Sequence, residues 1–257
     1  MNKKSDSFLR VLKTMDDLRS QCPWDKIQTN ETLRLLTIEE TYELADAILQ
    51  GSSGEIKKEL GDLLLHIVFY AKIAEEKNQF DIADVCNSLV EKLIHRHPHI
   101  YSDIIVKDDS EVKQNWEALK LKEGIHSSLA GVPAALPSLI KAIRIQEKAR
   151  GVGFDWDHKE QVWDKLNEEL NEFHHEITTE HDPVKMEDEF GDILFAMVNY
   201  ARFYNVNPEN ALEKANLKFI RRFVEMEKLI AADDKTFRGL TLDQMEVYWV
   251  KAKSKVG

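Results

Sequence analysis

Glu59-Leu60-Gly61-Asp62-Leu63-Leu64-Leu65 returns later in the chain as Glu189-Phe190-Gly191-Asp192-Ile193-Leu194-Phe195, an offset of 189 − 59 = 130. Carboxylates three residues apart share one face of a helix, and the aliphatic and aromatic residues between and after them supply a face to bury. A second acidic cluster precedes each run: Glu39-Glu40-Thr41-Tyr42-Glu43, then Glu168-Glu169-Leu170-Asn171-Glu172, offset by 169 − 40 = 129. The one-residue difference falls between two helices, where a connection can absorb it. Likeness continues downstream, with Lys92-Leu93-Ile94-His95-Arg96 against Lys218-Phe219-Ile220-Arg221-Arg222, and Trp116 and Lys120 against Trp249 and Lys253. The chain therefore reads as an internal duplication. Its expected division is a first unit over 1–123, a linker over 124–137 containing Gly131, Pro133 and Pro137, and a second unit over 138–257.

Composition points the same way. At 257 residues, 43% hydrophobic and 32% charged, the chain can bury a core in each unit. Few glycines and prolines among abundant Leu, Ala, Glu and Lys favour an all-α protein of two helical bundles. A net charge of −11 argues against a nucleic-acid partner, which requires a basic face. No apolar run approaches the roughly 20 residues that span a bilayer, and the polar start has no signal-type apolar core, so no membrane partner and a cytoplasmic location are expected. Cys22 and Cys86 have no CxxC spacing and read as inert thiols.

Turn chemistry places the helices. A helix over 37–50 should close at Gly51, with Ser53 capping the next, from about 55 to 74. Asp182-Pro183 should start a helix reaching about Tyr204. A third helix is expected over 81–96 or 207–230, and a short one carries the late tryptophan. Gly61 and Gly191 fall inside helices, at a cost of roughly 1 kcal/mol each relative to alanine. Two readings stand: close helix approach, or room for a ligand.

Acidic pairs on two adjacent helices can converge on one cation. All-oxygen donors suit Mg2+, with Mn2+ as a substitute, better than zinc. The expected cage is Glu169, Glu172, Glu189 and Asp192. Its N-terminal counterpart is Glu40, Glu43, Glu59 and Asp62, with Glu39, Lys92 and Arg96 nearby. Without a cation, four converging carboxylates repel or take up protons.

The order Glu-Glu-x-x-Glu then Glu-x-x-Asp, with Cys22-Pro23-Trp24-Asp25 ahead and Arg96-His97-Pro98-His99 behind, resembles the MazG family over nearly the whole chain. That resemblance implies the all-α nucleoside triphosphate pyrophosphatase fold, a homodimer, and magnesium-dependent hydrolysis of nucleoside triphosphates to monophosphate and pyrophosphate.

Such chemistry needs positive charge against the phosphates. Lys165, four residues before Glu169, and Lys218 with Arg222 are the expected contacts, against a plain reading as surface ion pairs. Trp249 and Lys253 would close the pocket unless Trp249 is core. Asn199, two turns beyond Asp192, is placed to read a base edge. Glu168 either holds the attacking water or is a surface charge. Trp24 and Trp156 either stack on a base or bury aromatic area. Lys165 aligns with Leu36 and Asn199 with Phe69, so the C-terminal unit is the expected catalyst. Two alternatives are a non-catalytic nucleotide sensor and a di-metal carboxylate bundle. The second needs Glu-x-x-His twice, and the chain supplies it once on these helices, at Glu172 to His175.

Overall fold

In the N-terminal unit, helices α1 (Lys3–Gln21), α2 (Pro23–Ile27), α3 (Asn30–Gln50), α4 (Ser53–Glu76), α5 (Ile82–Arg96) and α6 (Pro98–Tyr101) follow one another with short connections in the computed structural model. The structure describes residues 2–102, 106, 108, 111–112, 115–116 and 127–257. Helix α3 begins seven residues before the expected Thr37, because Thr29 and Thr32 form a reciprocal capping box that starts the helix there. It ends where Gly51 takes φ 70°, a left-handed conformation glycine adopts without steric cost. Ser52, rather than Ser53, caps α4 by accepting from the Glu55 amide.

Helices α3 and α4 form a hairpin, and α1 lies against α4. Met15, Leu33, Val68, Phe69 and Ile73 make the shared core. Burying each contributes about 1.5–3 kcal/mol. Arg19 ties the unit together: its guanidinium pairs with Glu76 on α4, donates to the carbonyls of Asp25 and Gln28, and sits 5.5 Å from the centroid of the Phe69 ring.

The C-terminal unit repeats the hairpin. It contains α7 (Ser138–Gly151), α8 (Lys159–His175), α9 (Pro183–Arg202), α10 (Pro208–Ala232) and α11 (Leu242–Val256). Asp182 caps α9 from just ahead of Pro183, as the sequence predicts. Helix α11 is a full 15 residues, longer than expected. Leu166, Ile193 and Ala196 pack α8 on α9, while Met226, Ile230, Tyr248 and Ala252 pack α10 on α11. The extra residue of the second copy is taken up in a π-helical turn, Glu176–Glu180, closed by the His181 amide donating to the Glu176 carbonyl at 2.8 Å, with His181 left-handed at φ 56°.

Packing divides the chain between Lys107 and Asp108. Residues of the segment read as a linker make contacts in the second unit: Lys141 Nζ donates to the Ala134 carbonyl at 2.7 Å and Lys148 Nζ to that of Ser128 at 3.4 Å. Residues 124–126 and Lys120 lie outside the described residues. Among the described residues there is no strand, and no helix is long and apolar enough to cross a membrane. A Cβ added at Gly61 or Gly191 would meet nothing within 4 Å. Close helix approach within either unit is therefore not what calls for glycine there.

Candidate metal centre and cavity

On α8 the apolar stripe Val162, Leu166 and Phe173 is turned into the hairpin, with Phe173 5.5 Å from Phe190 of α9. Helical geometry then sets Glu169 and Glu172 beside α9, where Glu189 enters one turn before Ile193. Carboxylate oxygens of Glu169, Glu172 and Glu189 lie within 4.8 Å of one another, and Glu169 is only 5% exposed. Desolvation, with the charges of Glu172, Glu169, Asp192 and Glu176 behind it, pushes the Glu189 carboxyl above its ordinary value. Asp192, expected as the fourth ligand, stands outside this three-oxygen cluster and lines the adjoining cavity instead.

The N-terminal hairpin repeats the arrangement. Glu40 and Glu43 of α3 meet Glu59 of α4 within the same 4.8 Å, and Asp62 again stands outside. Glu59 is 3% exposed; Lys58 holds its Oε1 at 2.9 Å, and its Oε2 has no hydrogen-bond partner. Desolvation, then Asp62 and Glu43, raise the Glu40 carboxyl. A buried carboxylate oxygen without a donor is costly. Three convergent carboxylates and that orphaned oxygen fit a hard divalent cation. The cluster's oxygens come from α3 and α4 alone; Lys92 and Arg96 are on α5, and Glu39 is exposed on α3.

Lys165 bridges Glu168 at 2.9 Å and Glu169 at 2.8 Å. Those two hydrogen bonds, Glu169's the larger influence, hold its ammonium well above the ordinary lysine range. Glu168 is thus an exposed ion-pair partner at the rim. Beside it a cavity of ≈ 730 Å³ opens among α7, α8, α9 and the turn after α7. Its acidic end holds Lys165, Glu169 and Asp192. The opposite end presents Asn199, Gln146 and Arg202 amid Phe154, Trp156 and Phe195. Trp156 thus lines the cavity, whereas Trp24 is half exposed on α2.

Four expected contacts are elsewhere. Lys218, Arg222, Trp249 and Lys253 line no part of this cavity, because α10 and α11 pair with each other. Arg222 Nε donates to the Gly257 carbonyl at 3.2 Å, and Trp249 packs 5.1 Å from Phe219 at the edge of the α10–α11 core. Conversely, Glu176, Gln146, Asp155 and Arg202 escaped the sequence reading. Glu176 lies four residues after Glu172 in the π-helical turn, is 8% exposed, and has an unpartnered Oε2; Lys185 approaches its other oxygen at 3.8 Å. The one-residue offset between copies was its only signal. Arg202 and Asp155 meet across 47 residues, which no local pattern announces.

The N-terminal copy fills the corresponding space. Phe69, aligned with Asn199, is 2% exposed, packed with Met15 and Leu33, and Leu36 takes the place of Lys165. His66 and Tyr70 both meet the Thr37 hydroxyl, at 2.8 and 2.6 Å. Burial lowers the His66 imidazole against the pull of Asp62.

The MazG nucleotide pyrophosphohydrolase domain matches the chain twice, at 28–101 and 158–225, one match on each hairpin. A nucleoside triphosphate pyrophosphohydrolase of Escherichia coli (strain K12) is 42% identical over 253 residues, covering 96% of either chain. A Thermotoga maritima protein described as nucleoside triphosphate pyrophosphohydrolase/pyrophosphatase MazG is 44% identical over 251 residues, 96% of this chain and 95% of that one. A Mycobacterium tuberculosis nucleoside triphosphate pyrophosphohydrolase is 36% identical over 155 residues, 59% of this chain and 47% of its own.

Proposed function

The chain belongs to the MazG nucleotide pyrophosphohydrolase family, and from that premise we propose that it hydrolyses nucleoside triphosphates to monophosphate and pyrophosphate, chiefly at the C-terminal hairpin. The observation that carries this reading is the single cavity end where Lys165, Glu169 and Asp192 meet beside the three-carboxylate cluster. Mg2+ is the proposed ion, with Mn2+ as a substitute; Glu169, Glu172 and Glu189 would hold it, and Asp192 lines the adjoining cavity. Bound there, the ion would supply positive charge to offset that of the phosphates and a Lewis acid to polarise an attacking water. Lys165 exchanges its carboxylate partners for a phosphate oxygen and stabilises charge that builds up during transfer. That exchange frees Glu168, at the rim, to take the water's proton.

Lys218, Arg222, Trp249 and Lys253 are proposed to reach substrate from a second copy of the chain. Apolar side chains left exposed on α9 and α10, among them Phe190, Leu194, Leu212, Phe219 and Ile220, support a homodimer, since faces of this kind are buried in stable oligomers. We place the activity in the cytoplasm, where free nucleotides are the substrate pool.

Product identification under single-turnover conditions tests the reading. Monophosphate and pyrophosphate in equal amounts are expected; diphosphate with orthophosphate would overturn the bond assignment, and binding without products would leave a sensor.

A further inference from the structure

Glu176 is a buried carboxylate to which the reaction proposed above gives no part. It follows Phe173 by three residues and Glu172 by four, so it continues the face of α8 that meets α9, where Phe173 stands 5.5 Å from Phe190. That placement buries it at the head of the π-helical turn, 8% exposed. Among the described residues its Oε2 has no hydrogen-bond partner, and its Oε1 meets Lys185 Nζ only at 3.8 Å, beyond hydrogen-bond reach. Buried carboxylate oxygens ordinarily have donors; this one lacks its own.

Glu176 also stands next to the acidic cluster. Its oxygens are not among those of Glu169, Glu172 and Glu189 that lie within 4.8 Å of one another. Desolvation, and then the charges of Glu172, Glu169, Asp192 and Glu176, raise the Glu189 carboxyl, so Glu176 is within electrostatic reach. Glu176 is one turn beyond Glu172 on α8, and Lys185 one turn before Glu189 on α9. Their contact is therefore the rung beside the one where Glu172 meets Glu189. This rung lies away from the cavity, whose lining includes none of Glu172, Glu176 and Glu189. A carboxylate just outside a direct ligand set is at the distance that one water bridges. Mg2+ dehydrates reluctantly and keeps several waters, whereas Ca2+ takes more oxygens directly.

Resting on the ion of the proposed function, we propose that Glu176 is a positioning residue whose Oε2 accepts from a water in the shell of hydrated Mg2+ at the Glu169, Glu172 and Glu189 cluster. The orphaned acceptor gains its donor, and the hydrated ion is oriented from the side away from the cavity. Outer contacts of this kind set metal affinity by about tenfold to a hundredfold. The N-terminal copy has buried Ala47 at this position, since 176 − 129 = 47, and no side-chain acceptor there.

Calorimetric titration of Mg2+ and, separately, of Ca2+ into the full-length chain tests this without turnover. Glu40→Gln with Glu43→Gln in every sample leaves the C-terminal cluster to titrate. To this parent is added Glu176→Gln, which removes the charge and keeps an acceptor, or Glu176→Met, which removes both. Each loses the same Coulombic attraction, so the difference between them reports the acceptor. Mg2+ should bind about tenfold or more tightly to Glu176→Gln than to Glu176→Met, while their Ca2+ affinities stay within about threefold. Equal Mg2+ affinities would leave charge alone and overturn the proposal. A gap of the same size for both ions would make Glu176 a direct ligand, which also overturns it. In chelator both variants should melt no lower than the parent, because each removes a buried charge short of donors; a fall in both would mark Glu176 as a structural residue and overturn the proposal. A parent that binds no Mg2+ overturns the ion itself, and with it the reading of function on which this rests.

Discussion

The two hairpins preserve the same three-carboxylate geometry yet differ completely in the space beside it. In the C-terminal unit that space is an open cavity bounded by Lys165 and Asn199. In the N-terminal unit Leu36, Phe69 and Met15 turn it into core. Acid clusters therefore persist through a duplication independently of the pocket, and a count of carboxylates does not tell which copy can admit a substrate. The difference is one of packing: a buried phenyl ring stabilises a fold, whereas an amide at the same position leaves room and a polar edge.

The strongest way to break this comparison is to empty the filled copy. Phe69→Ala should cost about 3–5 kcal/mol of N-terminal stability, read by urea unfolding, while Asn199→Ala should cost about 1 kcal/mol. Similar losses at both positions would mean that the two spaces are not differently packed. Next is activity. Glu169→Gln with Glu172→Gln should abolish most turnover, whereas Glu40→Gln with Glu43→Gln should retain most of it. The gap should exceed about tenfold, or 1.4 kcal/mol of barrier; equal losses would assign catalysis to both copies or to their cooperation.

Magnesium sharpens the contrast within one cluster. At a free concentration about three times its Kd, Mg2+ should stabilise the folded chain by about 0.8 kcal/mol, visible as a rise in Tm. Glu172→Gln should weaken this rise more than Asp192→Asn, because Glu172 belongs to the three-oxygen cluster and Asp192 stands outside it. An equal effect would restore Asp192 to the cage.

The smallest effect tests what the copies share. Burial and neighbouring carboxylates raise both Glu40 and Glu189 above 4.5. A raised folded-state pKa means that the folded protein holds the proton more tightly. The resulting stability is fully present below about pH 4.5 and is lost as pH rises through the raised value. In chelator, Tm should therefore carry a falling component above that pH, and Glu40→Gln or Glu189→Gln should remove it in the same direction. Opposite signs in the two variants would show that the clusters are electrostatically unlike.

Helices and acids were legible in the sequence because their causes are local. Three-residue spacing puts Glu169 with Glu172, Gly51 stops α3, and Asp182-Pro183 starts α9. Asp192 and the basic contacts on α10 and α11 were harder, since spacing fixes the face of a helix but not its distance from a neighbouring one. Alignment of Phe69 with Asn199 pointed to unequal copies; that Phe69 packs with Met15 of α1 required the tertiary structure. The pairing of Asp155 with Arg202 rests on contact between distant segments and leaves no periodic trace.

Leu129 has a practical bearing on dissecting the protein. It lies before α7, in a stretch rich in glycine, proline and serine that looks dispensable, yet it lines the cavity of the second unit, and Ser128 beside it accepts from the buried Lys148. A C-terminal fragment beginning at Ser138 would keep every acidic residue of the second cluster and still lose part of its cavity wall. Excision of an autonomous half should therefore begin upstream of Ser127, because a shorter fragment would lose activity through the position of the cut, whatever the chemistry of its carboxylates.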